Sequence, residues 1–569
     1  MKNIPARQQT KLDLHLQQAL IFQKKQQYDH AEMNYQAALA INNRHYKTLF
    51  NYSLMNFEIK KIDDAISFLT QAIEINPNAA PAFYNRALML HIKGASDKAF
   101  TDVSASLEIQ PEYIKALELQ AILYKKQKQY KESLLTYSKL IKLNPDNILY
   151  HHESGVIFQD LRLYKEAVEA YEIVLNKNPD NALVLANISL MLFDLKQYKS
   201  ALIAVNRALA INPKEIHSYQ VRGMIAGRMG RPDLAKHDYD FAISHGHKDP
   251  ETVFGSGIID LTLGEYESGW KKYEARWENT GIRQVVKTGD FTDKQWRGET
   301  SLRGKTLYVY WEQGLGDTLQ FCRYIPLLAE DGINILFEVQ KPFKDLMELQ
   351  FGHIATILTE EPEDGFDYVC PLLSLPLAFR TTLETIPAPT RYLAAQEAKV
   401  AQWRAHLPAK RKPRIGLVWS GSLTHGNDIL RSIPAELLAT LFSDDYEFIC
   451  LQKEIRPQDK LWLEKNPCIS EYSADLQDFA DTAALCELMD IVISVDTSVA
   501  HLAGALGKPL WLLLSFTSEW RWMHQRTDNL WYPSARLYRQ PRQNEWQEIL
   551  HQVRADLDAY FQQPLIALS

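Results

Sequence analysis

The sequence predicts a two-part protein, a solenoid of helix pairs in the N-terminal half followed by an α/β region built on parallel sheets. Three observations carry that prediction. Pro77, Pro111, Pro145, Pro179 and Pro213 recur at intervals of 34 residues. The rhythm disappears after Arg276-Trp277. From Thr306 onward, short β-branched and aromatic runs alternate with helical stretches. The 569 residues, 46% hydrophobic and 23% charged, have the composition of an ordinary packed protein of roughly three or four structural units. A net charge of −7 lacks the basic excess that tracking a phosphate backbone needs, which argues against a nucleic-acid partner. The longest apolar run, Leu510 to Phe516, is far shorter than the ~20 residues of a membrane span. Met1 to Thr10 has no apolar h-region, and five cysteines without a C-x-x-C pair fit a reducing compartment, so a cytoplasmic location is expected.

Twelve positions before each proline stands a small residue, Ala65, Ala99, Ser133, Ala167 or Ala201, with Ala31 and Ala235 continuing the series. Four positions later comes a larger one, Leu69, Val103, Tyr137, Tyr171 or Val205, flanked by Tyr35 and Tyr239. This is the tetratricopeptide pattern, in which a small side chain lets two antiparallel helices approach while a larger one fills the space beside it. About seven units are expected over 12–247. An eighth pair, over 248–285, reads Gly257, Tyr266, Gly269, Tyr273 with a slip of two residues and joins the solenoid to the α/β part. One helix pair cannot bury its own apolar face, so the units must stack and present an extended surface to a protein or peptide. Asn51, Asn85 and Asn187 share one position of the first helix and are the candidate acceptor-binding residues. They resemble the asparagine ladder of O-GlcNAc transferase. The same residue is also frequent there in plain tetratricopeptide repeats.

In the C-terminal half, strands are expected at Thr306 to Tyr310, Asn334 to Val339, Arg414 to Trp419, Tyr446 to Leu451, Ile491 to Val495 and Leu510 to Leu514. Helices fall between them, including one running to Glu330 and others near Ala435, Ala483 and Val499. Two doubly wound sheets are implied, over 300–398 and 410–565, separated by the charged linker Pro408 to Pro413. Such sheets hold ligands beyond the carboxyl ends of their strands.

Two loops carry chemistry. In Glu312-Gln-Gly-Leu-Gly-Asp317, Gly314 and Gly316 let the backbone turn tightly beside a ligand, and Asp317 either caps the next helix or accepts a proton. In Asp496-Thr497-Ser498, an apolar strand passes into a helix whose first N–H groups suit a phosphate. There Thr497 and Ser498 add hydroxyls, and Asp496 either caps or accepts sugar hydroxyls. His501 is either packed beneath this loop or a ligand contact. Trp520, Trp522 and Trp531, near Arg521 and Arg526, form either a sugar or base platform or core packing.

These segments resemble the heptosyltransferase-like glycosyltransferases of family 9. The resemblance rests on Gly314 to Asp317 and Asp475 to Pro509, and extends to a bacterial group that joins tetratricopeptide repeats to such a domain. Gly264 to Trp277, Glu312 to Pro326, Gly416 to Arg431 and Trp520 to Trp522 also fit. It implies the GT-B fold of two Rossmann-like lobes, an acceptor-side lobe and a lobe for a nucleotide-diphosphate sugar. It further implies inverting transfer with no cofactor and no metal, and Asp317 as general base. Trp419 and Ser420 lie in the loop that would run under the donor diphosphate. Arg431 is the first candidate to balance the charge of the departing diphosphate, and Lys453 the second. The expected function is sugar transfer to a protein acceptor bound by the repeats. The alternatives are a non-catalytic scaffold with a vestigial transferase fold and a heptosyltransferase for a cell-surface glycan.

Overall fold

A computed structural model describes residues 5–278, 291–423 and 428–562. Parts of three expectations lie outside the described residues: 279–285 of the joining segment, 563–565 of the last domain, and 424–427 of the loop expected beneath the donor. The chain divides into two compact units, Met1–Pro213 and Lys214–Ser569.

The first unit consists of helices from Ala6–Lys24 to Tyr198–Ile211, packed in successive pairs. The small residues of the repeat, Ala31, Ala65, Ala99, Ser133, Ala167 and Ala201, are fully buried. Their larger partners Tyr35, Leu69, Val103, Tyr137, Tyr171 and Val205 are buried with them, and Ser133 returns its hydroxyl to the Ala121 carbonyl at 2.8 Å. Each second helix ends two residues before its proline. The helix Ile62–Ile75, for example, gives way at Asn76 to φ −129° and ψ 87°, the extended form that a following proline imposes.

The second unit opens with two more pairs, Ile216–Arg228 with Pro232–Ser244 and Pro250–Leu263 with Tyr266–Tyr273. The expected slip in the last pair is not there. Gly264, at φ +87°, turns between its helices as Gly230, at φ +66°, does in the pair before, and the two stand 34 residues apart. Gly269 and Tyr273 likewise follow Ala235 and Tyr239 by one period. What distinguishes this pair is a second helix of only 8 residues, which tightens into a 3₁₀ turn at Glu274–Trp277.

Two parallel sheets follow. Strands β1 (Thr306–Tyr310), β2 (Asn334–Glu338), β3 (Thr356–Leu358) and β4 (Tyr368–Pro371) form one, in the order β3-β2-β1-β4. Strands β5 (Arg414–Val418), β6 (Glu447–Cys450), β7 (Ile469–Ser470), β8 (Ile491–Val495), β9 (Leu510–Leu514) and β10 (Ala535–Arg539) form the other, in the order β10-β9-β8-β5-β6-β7. The pairing is parallel throughout, with Leu307 opposite Tyr368 in the first sheet and Ile415 opposite Ile491 in the second. Strands β3, β4, β7 and β10 were not expected; the first three have four residues or fewer, too few to display a period. The helix expected to run to Glu330 is broken, because Pro326 starts a separate segment at Ile325–Glu330.

The last helix pair belongs to the core of the sheets. Leu261, Tyr266, Trp270 and Tyr273 share one apolar cluster with Phe321, Tyr324, Trp520 and Trp531. Trp270 Nε1 donates to the Thr381 carbonyl at 3.1 Å, and Trp531 Nε1 donates to the Tyr266 hydroxyl at 2.9 Å. The opposite face of the six-stranded sheet is covered by the helix Trp546–Gln562.

Candidate functional site

Strand order explains which loops meet. In each sheet the chain reverses its direction of winding at one place, between β1 and β4 and between β8 and β5. Loops at the carboxyl ends of strands diverge at such a point and leave room for a ligand. Asp317 follows β1, and Asp496 follows β8. Strands β9 and β5 flank β8, so the loops carrying Arg521 and Arg431 approach Asp496 from its two sides. Strand β6 lies one place further out. Lys453, which follows it, is exposed and donates to the Gln477 carbonyl instead.

The first loop is held at its base by buried charge. Glu312 is fully buried and accepts from Arg276 Nε at 2.7 Å, from Arg276 Nη2 at 2.9 Å and from the Leu373 amide at 3.0 Å. Arg276 also bonds Glu274 and Ser374, and its guanidinium lies over Tyr273. Five residues on, Asp317 sits in the first turn of the helix Leu315–Phe321. Its Oδ2 accepts the Gly314 amide at 2.7 Å, a capping arrangement. Its Oδ1 accepts from Arg521 Nη2, which comes from the other sheet. Burial raises the Asp317 pKa above the usual carboxylate range; Arg521 opposes that shift and Glu519 adds to it.

Gly316 is where the two sheets' helices touch. A Cβ there would lie 2.6 Å from His501 Cδ2, so only glycine fits without displacement. His501 is buried, bonds the Tyr532 hydroxyl at 2.8 Å through Nδ1 and stacks on Trp522 with ring centroids 5.2 Å apart. Burial pushes its pKa well below the ordinary histidine value, and Arg521, Arg323 and Arg431 push it in the same direction, so it is neutral.

The second loop has a different layout. Thr497, not Asp496, is the N-cap of the helix Ser498–Ala505; it makes no side-chain capping bond and meets the Ser494 hydroxyl at 3.2 Å. The capping role offered to Asp496 is therefore corrected. Arg431 Nη1 donates to the Asp496 carbonyl at 2.8 Å. The Asp496 carboxyl is pushed up to about 6, first by burial and then by Glu519, with Trp522, Arg431 and Arg521 opposing. Arg431 Nε lies 3.6 Å from Asp428 Oδ1, and the buried Trp522 Nε1 faces the Asp496 carboxyl without a well-formed hydrogen bond. Ser498 is half-buried at the start of the helix.

Other expected residues fall elsewhere. Trp419 is not a ligand surface: its ring is 1% exposed in the core and its Nε1 donates to Asp459 at 2.9 Å. Ser420 is buried, and its amide and hydroxyl are both bonded by Gln452, at 3.0 and 3.1 Å. Trp520, Trp522 and Trp531 are buried, which leaves no exposed aromatic platform. In the first unit, Asn51 and Asn85 turn their amides onto the carbonyls of Lys47 and Pro81 in their own helices, each at 2.7 Å, and Asn187 approaches the Tyr171 hydroxyl at 3.5 Å. A cavity of about 470 Å³ lies away from Asp317, lined by Gly264 to Ser268, Lys271 and Thr382 to Glu384. Sequence reasoning gave no role to Glu519 and treated Arg521 only as part of the platform. Arg521 and Asp317 are 204 positions apart, and no local spacing connects them.

Family models for tetratricopeptide repeats match residues 46–79, 114–147 and 153–216. Protein FlbA of Caulobacter vibrioides is 28% identical over 385 residues, which is 62% of this chain. The match spans 63% of that protein's length. Among solved structures, a tetratricopeptide repeat protein from Parabacteroides merdae is similar at 17% identity and a TM-score of 0.33, covering 44% of this chain and 99% of that one. YrrB, a tetratricopeptide protein with an unusual peptide-binding site, is similar at 18% identity and a TM-score of 0.31, covering 32% and 95%. The N-terminal helix pairs are tetratricopeptide repeats, and the C-terminal region holds parallel sheets. Among the described residues, no helix is long and apolar enough to cross a membrane.

Proposed function

We propose that the chain is a glycosyltransferase of GT-B type that moves a sugar from a nucleotide-diphosphate donor to a protein or peptide acceptor held by its repeats. The observation that carries this reading is the meeting of two switch-point loops. Asp317 from the four-stranded sheet and the Asp496-Thr497-Ser498 turn from the six-stranded sheet are brought together where Gly316 lies on His501. In the proposed reaction Asp317 takes the proton of the acceptor hydroxyl as that oxygen attacks the anomeric carbon. The diphosphate leaves toward Arg431, the Trp522 N–H and the first turn of Ser498–Ala505, whose donors stabilise the charge it gains. Tetratricopeptide repeats as a class bind protein segments, which supports a protein acceptor over a lipid-linked one. Location in the cytoplasm, where nucleotide sugars are made, belongs to the same proposal.

The test is a thermal-shift panel of UDP-glucose, UDP-N-acetylglucosamine, GDP-mannose and ADP-heptose, in which the donor raises the melting temperature by mass action. Arg431→Ala should weaken binding of that donor by about 10- to 100-fold, the scale of one charge-assisted hydrogen bond. If no donor stabilises the protein, or if Arg431→Ala leaves affinity unchanged, the donor site is misassigned.

A second reading, a binding scaffold on a vestigial transferase fold, rests on one observation. The charges at Asp317 are already paired with one another, and the 470 Å³ cavity opens elsewhere. On that reading no donor binds and the repeats still capture their partner.

A further inference from the structure

The carboxylate expected to act as base comes from one sheet, yet its orientation depends on a side chain from the other. Arg521 follows β9 of the six-stranded sheet and is itself fixed on three sides. Its Nε donates to Gln320 Oε1 at 2.7 Å, its Nη1 donates to Glu519 at 2.6 Å, and its guanidinium lies 4.4 Å from the centre of the Trp520 ring. Its remaining nitrogen, Nη2, holds Asp317 Oδ1. Trp520 in turn packs against Trp270 and Tyr273 of the last repeat pair. The guanidinium is thus held on one side by Glu519 and Trp520 of its own loop and on the other by Gln320, one turn along the helix that carries Asp317.

We propose that Arg521 is the positioning residue of Asp317, so that the base is complete only when the loop Glu519–Trp522 of the six-stranded sheet is seated against the helix Leu315–Phe321 of the four-stranded sheet. This deepens the glycosyltransfer reading and rests on it. The physical reason is the surroundings of Asp317. Asp317 interacts with Arg521 and Glu519 from the β9 loop and with Tyr273 from the last repeat helix, while Asp496 and His501 from the β8 loop act on the same Arg521. A carboxyl buried beside Glu519 favours its protonated form, in which it cannot accept a proton. The Arg521 charge opposes that preference, and its hydrogen bond to Oδ1 fixes how the carboxyl is turned. Glu519 acts in the opposite sense, both on Asp317 and by sharing the guanidinium. With Arg521 displaced, Asp317 would lose the hydrogen bond that orients its Oδ1, and the acceptor would meet a carboxyl whose lone pairs are not directed toward it.

The pair of substitutions Arg521→Gln and Glu519→Gln tests this in the full chain, read by the pH dependence of single-turnover consumption of the panel donor that raises the melting temperature. Removing Arg521 should move the acid limb up by about one pH unit, and removing Glu519 should move it down. Arg521→Lys should keep the limb near its wild-type position while lowering the rate, because the charge survives and the fork does not. Limbs that stay in place, or that move in the same direction in both variants, overturn the proposal. A companion double-mutant cycle of Asp317→Asn with Arg521→Gln, read by unfolding free energy at neutral pH, needs no donor. Additive effects would mean that the pair does not form, which sinks this inference and leaves the glycosyltransfer reading standing. Coupled effects with no donor consumed would sink the glycosyltransfer reading itself, and the role given to Arg521 would fall with it.

Discussion

The loop after β1 and the loop after β8 share one design, an apolar parallel strand, a short turn and a helix with an acidic residue near its start. They differ in where the acid stands relative to the helix. Asp317 lies inside the first turn and accepts the Gly314 amide, whereas Asp496 precedes the N-cap and presents its carbonyl to Arg431. They also differ in anchoring. The first loop is tied by ion pairs at both ends, Glu312 with Arg276 and Asp317 with Arg521; the second is held by Ser494, Thr497 and the packing of a small-residue helix. A helix of small residues can sit close beneath its strand, and the one cation at its start, Arg431, meets a backbone carbonyl rather than a carboxylate. A loop that must reach the other sheet depends on charged contacts to locate it.

That contrast predicts the most from Arg276. Arg276→Met leaves Glu312 fully buried without its cation, while Glu274 keeps Arg297, and breaking such a buried pair costs about 3–5 kcal/mol. Chemical denaturation should show the loss, and Arg276→Met with Glu312→Leu should recover much of it. Recovery would confirm that the penalty is an uncompensated charge; no recovery would mean that Arg276 acts by packing on Tyr273.

Asp317→Asn tests the acid inside the turn. The amide oxygen can still accept the Gly314 N–H but cannot take a proton, so turnover should fall by roughly 10² or more while donor affinity stays within a few-fold. Near wild-type turnover would leave Asp317 as a helix cap alone.

Gly316→Ala probes the point where the loops touch. The added methyl group meets the buried His501 ring, and overpacking of this kind costs about 1–3 kcal/mol. If stability is lost but Arg431-dependent donor binding survives, the contact aligns the two sheets without forming the donor site.

Asp496 should be visible through pH. Its pKa rises on folding from the ordinary carboxylate value to about 6, so between those values the folded chain binds more protons than the unfolded one. Stability attributable to Asp496 therefore falls as pH rises across that window and stays reduced above it. Asp496→Asn should flatten this part of the stability-against-pH curve; an unchanged slope would show that other groups set it.

Local pattern made a large share of this readable in advance. The 34-residue spacing reports a contact between neighbouring helices, so Ala65 and Leu69 identify themselves as buried from sequence alone. Apolar runs such as Ile491 to Val495 identify strands, since a parallel strand covered on both faces is apolar throughout. The same logic failed for Trp419, because the residue after an apolar strand can turn to either face, and this one turned inward to Asp459. It failed for the last repeat pair too, where a short second helix disguised an unbroken period.

The sequence by itself determined the repeats, the change to parallel sheets and the two acid-bearing turns, because each depends on residues within a few positions of one another. Only the tertiary structure decided that Arg521 holds Asp317, that Arg431 rather than Lys453 reaches the Asp496 turn, and that the last repeat pair is part of the sheets' core. Those outcomes follow from strand order and from helix contacts between residues far apart in the chain. Strand order sets which carboxyl-end loops are neighbours, and it leaves no periodicity for a sequence to display.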